Sequence, residues 1–538
     1  MPDKKLNFLL PLLLSLVVAA GMIVGFKLRE SSWSKRPMVD RMDYSRLDEI
    51  LNIVDSKYVD TVNSEKAINK LIESMLNQLD PHSFYIAASE LNEVNEGLEG
   101  NFEGIGVEFY ILRDTIIVVS PISGGPSEAL GILSGDKIIL IDDSLVAGKK
   151  ITNNDVVKKL RGKKGTQVKV SIARRNEKEL LDFEITRDKI PITSVDAGYM
   201  IDKETGYIKI SRFSANTYEE FMAELNELHD AHMQNLIIDL RQNPGGYLNA
   251  ATMIADELLD NKKLLVYTEG KAYKRKEYLA QMEGLFENGN LAIIIDEGSA
   301  SASEILAGAV QDWDRGIITG RRSFGKGLVQ EQYNLRDGSA LRLTVARYFT
   351  PSGRSIQKPY DNGNENYDLE IAARYEHGEH LSKDSIHVQD SIQYFTSKGK
   401  VVYGGGGIMP DVFIPLDSLN NYKQLAKVRV HIPEFIYDYF SENSDSYKQY
   451  ATLADFMSRY IVSDAIYQQF ISLPKLKEEG LKPEEVAAIQ GDIKTMLKAY
   501  IARQLWKNDG FYAVINTMDK TFLKTLEIVK NPESIAAN

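Results

Sequence analysis

Cysteine is absent from the 538 residues, which removes a disulfide frame, a thiol nucleophile and a lipidated cysteine from consideration. Histidine is scarce. The seven are His82, His229, His232, His377, His380, His387 and His431, and none sits in a strand-turn-helix setting of the kind that positions a catalytic imidazole. Positive charge is in deficit: the net charge is −12, and the densest basic run inside the body, Arg161-Gly162-Lys163-Lys164, is a short turn. Without a clustered basic face there is no footprint for nucleic acid. Long apolar runs are lacking too, with one exception. Leu6 to Phe26 carries no charge and is long enough to cross a bilayer. Lys4 and Lys5 ahead of it and Val18-Ala19-Ala20-Gly21 near its end fit a cleaved signal, while its length fits a retained anchor equally well. Lys27, Arg29, Lys35 and Arg36 on the far side weaken an orientation argument from charge. Either way the body is expected outside the cytoplasm, in the periplasm or cell envelope, held by a single N-terminal transmembrane helix if the run is kept.

What is present is enough for two to four domains, with 43% hydrophobic residues to build their cores. After the segment 1–27, residues 40–98 read as amphipathic helices, with Leu47, Ile50, Leu51 and Val54 at helical spacing, until Asp80-Pro81-His82-Ser83 breaks the pattern. Residues 99–190 form a small β-rich module, with runs at Gly106 to Tyr110, Thr115 to Val119, Lys137 to Ile141 and Val168 to Ala173 and a helix at Asn154 to Leu160. Across 191–417 strands alternate with helices, which predicts an α/β domain. Its strands are expected near 207–210, 236–240, 264–267, 291–295, 316–319 and 341–346, its helices near 217–229, 247–259 and 302–313. The polar stretch 361–400 reads as a surface insertion, and 418–538 as a separate helical domain.

Two runs carry the chemistry: Gly298-Ser299-Ala300-Ser301-Ala302-Ser303-Glu304 and Ser323-Phe324-Gly325-Lys326-Gly327-Leu328-Val329-Gln330. A serine hydroxyl needs an adjacent base, and a lysine serves if burial keeps its amine neutral. Near pH 7 that asks burial to overcome about 4 kcal/mol of preference for the ammonium form. Ser301 and Glu304 also match a capping box opening a helix at Ala302, a purely structural use that coexists with a catalytic one, since the helix start offers free N–H groups and a positive dipole end to an oxyanion. The glycines of Asp239-Leu240-Arg241-Gln242-Asn243-Pro244-Gly245-Gly246 mark a turn, and Gly245 or Gly246 can aim one oxyanion donor with Ala302 supplying the other. Gly320 to Gly327 nearly fits a phosphate loop, but Gly327 stands where Ser or Thr should hold magnesium and a strand follows instead of a helix. Ser323 and Lys326 fit an S-x-x-K pattern that works only on a helix, which Gly325 and Gly327 disfavour.

Ser299-Ala300-Ser301-Ala302-Ser303-Glu304-Ile305, Asp312, Phe324-Gly325-Lys326-Gly327 and Gln330 resemble the C-terminal processing peptidases, or tail-specific proteases. Ala346 to Ile356, Gly407-Ile408-Met409-Pro410-Asp411 and Asp80-Pro81-His82-Ser83 extend the resemblance over roughly residues 40–415. It implies a multidomain α/β protease core similar to the ClpP/crotonase fold, with Ser301 as nucleophile, Lys326 as general base and Gln330 orienting the amine. Asp312 also matches a family position; an acid beside the lysine would favour the ammonium, so its role is structural or supporting. Four residues of strand span about 13 Å, so Lys326 and Gln330 meet only if the segment bends.

The β-rich module resembles a PDZ domain, with Gly104-Ile105-Gly106-Val107 as its carboxylate-binding loop and Gly135-Asp136-Lys137-Ile138 as a second recurrent piece. His377-Gly378-Glu379-His380 reads as a solvated loop, and no metal or cofactor is expected. The resemblance thus implies an exported serine endopeptidase whose partners are proteins with exposed C-terminal tails, and the membrane if residues 1–27 are retained. A homo-oligomer stays open. The competing class is an inactive PDZ scaffold, against which the intact Ser301, Lys326 and Gln330 argue.

Overall fold

A computed structural model describes Val17 and residues 41–532, apart from 176, 362, 387–391 and 417–421. The apolar run therefore lies, Val17 aside, outside the described residues. Among those described, no helix is long and apolar enough to cross a membrane. The chain divides into two units, 1–75 and 76–538. The first carries helix α1 (Arg41–Lys57) and most of α2 (Ser64–Leu76). Leu47 and Ile50, at the predicted helical spacing, stand exposed on α1.

The second unit opens with the short strand Phe84–Ile86 and α3 (Leu91–Glu99) and passes through the ribbon Asn101–Gly104 into the β-rich module. There β1 (Val107–Leu112) is the edge strand, followed across the sheet by Thr115–Pro121, Lys137–Ile141, Gln167–Ala173 and Leu181–Thr186. The predicted helix forms over Asn153–Leu160, and its Val156 and Leu160 close the module's own core.

The architecture that places the site is a six-stranded sheet. In spatial order it runs β2 (Val195–Met200), β3 (Thr205–Ile210), β4 (Asn235–Asp239), β5 (Asn290–Ile295), β6 (Ile317–Gly320) and a short last strand, Val412–Phe413. β2 is antiparallel to β3, and the other five are parallel. The middle strands are buried on both faces, which is why Leu236-Ile237-Ile238 and Leu291 to Ile295 read as continuous apolar runs. Alternate residues divide between two cores. Ile208, Leu236, Ile238, Ile293 and Ile295 pack with the helices Thr217–Asp230, Leu248–Asp256 and Ala302–Asp312. Tyr207, Ile237, Ala292 and Ile294 pack on the opposite face with Phe522 and Val529 of the last helix, Lys520–Lys530. The helical C-terminal region, which has a second apolar core of its own, thus covers one face of the six-stranded sheet.

The predicted strands and helices of 191–417 appear within a few residues of their expected ends. A second sheet was less legible: Phe84–Ile86, Leu264–Glu269 and Lys276–Leu279 join β7 (Leu328–Asn334) and β8 (Ala340–Phe349). The polar stretch read as a surface insertion contains a helix, Asn364–Glu376, whose Tyr367 and Arg374 are buried.

Phe522 meets Tyr207 edge-on with ring centroids 5.4 Å apart. Phe522→Ala should remove about 3–5 kcal/mol, read as a lower unfolding midpoint in denaturant; an unchanged midpoint would show that the last helix does not carry that face.

Candidate active site

Three loops leave the carboxyl ends of the neighbouring parallel strands β4, β5 and β6, where open α/β sheets form their crevices. They bring Gly245-Gly246, Ser301 and Lys326 to one place. Asn243, fully buried, ties the first loop to the second. Its Nδ2 donates to the Ile210 carbonyl at 2.9 Å, and its own carbonyl accepts the Ala300 N–H at 2.9 Å and the Ser303 hydroxyl at 3.0 Å. The result is very close packing: at Gly245, φ +92°, a Cβ would lie 2.7 Å from the Ser301 Cβ and 2.8 Å from the Ala302 nitrogen, so only glycine fits.

Asn243 also decides which glycine can donate. The Gly245 N–H is consumed by the Asn243 Oδ1 at 2.9 Å. That corrects the reading of Gly245 as an oxyanion donor and leaves Gly246, whose N–H, like that of Ala302, takes no acceptor among the described residues.

Ser301 sits at the start of the helix Ala302–Asp312 with φ 55° and ψ −113°. Such a conformation is strained for a residue with a Cβ and costs on the order of 1–3 kcal/mol. Glu304, buried completely, holds it there. One carboxylate oxygen, Oε2, accepts the Ser301 N–H at 2.8 Å and the Lys326 N–H at 2.9 Å. The other, Oε1, accepts the Gly325 N–H at 2.7 Å and the Ser323 hydroxyl at 2.5 Å. From the opposite side, the Tyr348 hydroxyl is shared between the Ser301 carbonyl, at 3.1 Å, and the Lys326 carbonyl, at 2.7 Å. The two residues are therefore clamped together through both their N–H and their C=O groups. Burial raises the Glu304 carboxyl above its ordinary value, against the pull of those donors.

Behind the lysine loop stands the helix Asn364–Glu376. Arg374 donates to the Ser323 carbonyl at 2.7 Å and to the Phe324 carbonyl at 3.1 Å, and the Lys358 ammonium lies 4.1 Å from the centroids of both Phe324 and Tyr367. Burial lowers the pKa of Lys326, helped by the Arg342 guanidinium and opposed by Glu304 and Asp80. Arg342 is held by Asn95 at 3.0 Å and Gln332 at 2.9 Å. His82 faces the same space: burial first, then the lysine charge, pushes it down to about 4, and its Nε2 lies 2.8 Å from the Tyr367 hydroxyl. It is neutral at physiological pH. Gln330 lies on β7, where the pairing with β8 slips between Val329 and Gln330, a bulge of the kind that bends and twists a strand. Its Nε2 donates to the Thr344 Oγ1 at 3.4 Å.

Asp312 is committed to other partners. It pairs with Arg354 at 2.8 Å and accepts the Ser352 N–H at 2.9 Å. Glu379 of the His-Gly-Glu-His stretch is committed to Arg322 at 2.6 Å. Among the described residues, no group of three His, Cys, Asp or Glu side chains is placed to hold a metal ion.

Comparison with known proteins decides the family. A model described as peptidase family S41 matches residues 204–363, a PDZ domain model matches 104–185, and a family of unknown function matches 422–507. A carboxy-terminal-processing protease of Bartonella bacilliformis is 37% identical over 320 residues, covering 58% of this chain and 72% of the relative. A carboxy-terminal processing protease of Bacillus subtilis is 36% identical, over 58% of this chain and 65% of the relative. The chain belongs to peptidase family S41, the carboxy-terminal processing proteases. Among solved structures, a photosystem II D1 C-terminal processing protease is 30% identical, over 62% of this chain and 83% of that one, at a TM-score of 0.33.

In this S41 peptidase the PDZ loop Gly104-Ile105-Gly106-Val107 makes its backbone bonds within the PDZ module. The Ile105 carbonyl accepts the Ser127 hydroxyl at 2.5 Å and the Gly106 carbonyl accepts the Ile122 N–H at 2.9 Å. The N–H groups of Ile105 and Gly106 take no acceptor among the described residues, and the adjoining β1 is the last strand of its sheet, with no strand paired to its outer side among the described residues. A left-handed Gly106, φ +73°, with a Cβ position only 2.9 Å from Ile190, explains why that position is glycine.

Several residues that build the site carried no local signal. Asn243 reaches Ser303 across 60 positions of sequence, Tyr348 reaches Ser301 across 47 and Lys326 across 22, and Arg342 acts on Lys326 from the next strand. Glu304 was visible as a capping residue and within a string shared with the family, and Asp80 to Ser83 only as such a string. Because glycine adopts the Ser301 backbone angles freely, Ser301→Gly should be more stable than Ser301→Ala by about 1 kcal/mol. Thermal unfolding of the two variants checks this, and an Ala variant that is equally stable would show the backbone is not strained.

Proposed function

We propose that the chain is a serine endopeptidase in which Ser301 is the nucleophile, Lys326 the general base and Gln330 the group that orients the amine. The observation that carries this reading is the double clamp. Glu304 and Tyr348 fix Ser301 and Lys326 to the same carboxylate oxygen and the same hydroxyl. The Lys326 amine, its pKa lowered by burial, takes the Ser301 hydroxyl proton in its unprotonated form as the oxygen attacks the scissile carbonyl. The Gly246 and Ala302 N–H groups stabilise the oxyanion, with the start of the helix Ala302–Asp312 adding its dipole. The lysine ammonium then hands its proton to the leaving amine, and water attacks the acyl-enzyme with Lys326 again as base.

The Gly104 to Val107 loop captures the substrate's C-terminal carboxylate on its free N–H groups, and the tail adds as a strand to the open edge of β1. Substrates are proteins with accessible, apolar C-terminal tails. They are met outside the cytoplasm, in the periplasm or envelope, since Leu6 to Phe26 reads as an export signal or anchor.

Protein lacking residues 1–27, incubated with an unstructured protein ending in an apolar tail, should give internal cleavage products by mass spectrometry. Ser301→Ala and Lys326→Ala should stay folded and lose about 10³-fold or more in turnover; near-normal turnover by either rejects the assignment. Removing a cation near an amine favours the ammonium form. Arg342→Gln should therefore raise the Lys326 pKa and move the acidic limb of the pH–rate profile to higher pH, whereas an unmoved limb would place Arg342 outside the lysine's field.

A further inference from the structure

Gln330 cannot orient an amine unless something fixes which end of its own amide faces the amine. A primary amide carries an acceptor at one end and a donor at the other, and rotation about its last torsion exchanges them. The neighbours of Gln330 supply the missing constraint. Thr344 lies directly opposite on β8, and its hydroxyl has one proton to give. That proton goes to the Asp80 Oδ1 at 3.0 Å. Asp80 is buried and, when ionised, accepts only, so the Thr344 oxygen is left with lone pairs alone toward Gln330. The Gln330 Nε2 fills that role at 3.4 Å, and Oε1 is turned away from Thr344.

Asp80 is itself fixed on every side. Oδ1 accepts the His82 N–H at 2.8 Å and the Ser83 N–H at 2.9 Å, and Oδ2 accepts the Ser83 hydroxyl at 2.6 Å. The Ser83 oxygen in turn accepts the Thr344 N–H at 3.0 Å. The turn Asp80-Pro81-His82-Ser83 is thereby pinned onto β8 beside Gln330. Arg342 and Thr344 are two residues apart on that strand and share a face. Asp80 and Arg342 are both among the charges that act on Lys326.

We propose that Asp80 and Thr344 are positioning residues of the Ser301–Lys326 centre: Asp80 fixes the Thr344 hydroxyl, Thr344 fixes the Gln330 amide with Oε1 toward the lysine amine, and that acceptor leaves the amine's lone pair aimed at Ser301. This rests on the catalytic assignment above and adds a three-link relay from the start of the protease body. Asp80 touches no reacting atom. Its effect on the reaction is geometric, and it works against the electrostatic preference it creates, since an anion near an amine favours the ammonium.

The test uses the full chain and a fluorescent phosphonate that labels an active serine, with the rate of labelling followed from pH 6 to pH 10. Thr344→Val should lower the high-pH plateau about 10- to 100-fold, the scale of a misaligned catalytic group, and Thr344→Ser should restore most of it. Gln330→Ala should lose a similar factor, and Gln330→Ala with Thr344→Val should be no slower than Gln330→Ala alone, since the two act through one path. Losses that multiply, or Thr344→Val labelling at the wild-type plateau, overturn the relay. Asp80→Asn supplies a second variant should Thr344→Val fold poorly. A positioning role lowers its plateau, where the amine is neutral in any case, whereas a purely electrostatic role shifts only the acidic limb to lower pH and leaves the plateau intact, which overturns the proposal. Labelling that persists in Ser301→Ala would instead show that the catalytic assignment has failed.

Discussion

A single buried carboxylate organises this protein's candidate centre. Glu304 Oε2 accepts one hydrogen bond from the backbone of Ser301 and one from that of Lys326, while Oε1 holds the rest of the lysine loop. Burying an acid is costly unless its oxygens are satisfied. Here four donors satisfy it, three of them backbone N–H groups whose positions are set by glycine-rich turns. The Tyr348 hydroxyl closes the arrangement on the carbonyl side. Two residues far apart in sequence are thus held in register by main-chain bonds, and their side chains are left to react.

The fold explains why such a clamp is affordable. Parallel strands β4, β5 and β6 end side by side, so their three loops start from a rigid edge. Asn243 then locks the first loop to the turn carrying Ser301, whose backbone strain the surrounding bonds sustain. The support extends further than the loops. Arg241, two residues before Asn243, pairs with Asp239 at 2.6 Å and with Asp519 of the C-terminal region at 2.6 Å. Burial would raise Asp239, yet Arg241 and Lys209 bring it well below the usual carboxylate range. The helix Lys520–Lys530 with its cap Asp519, which follows the segment 422–507 matched by a family of unknown function, is in this way joined both to the apolar face of the sheet and to the loop that carries Gly246.

How much of this could be read from sequence follows from the range of the interactions. Ser301 and Lys326 were legible because their signals are local: a small-residue turn before a capped helix, and a lysine between two glycines before a strand. The strands Leu236 to Ile238 and Leu291 to Ile295 were legible because burial on both faces leaves an uninterrupted apolar run. Gly245 and Gly246 could not be told apart, since the difference lies in whether the Asn243 side chain folds back onto its own turn. The stretch 361–400 read as surface because it is polar, but its Arg374 is buried and paired with Glu370 at 2.7 Å, and Glu370 also holds the buried Lys358, just ahead of the stretch, at 3.1 Å. Composition is blind to such pairing. Arg342 and Tyr348 were invisible as site residues for a related reason: only pairing between β7 and β8 brings that strand to the lysine.

The account stands or falls on the charge of Lys326. In protein labelled with 15N-lysine, the Nζ resonance of Lys326, assigned by its loss in Lys326→Ala, can be titrated directly. The account predicts a midpoint well below the value of about 10.4 for a free lysine. A midpoint at or above that value would mean that the amine is an ordinary ammonium at neutral pH and that the proposed base cannot accept the serine proton.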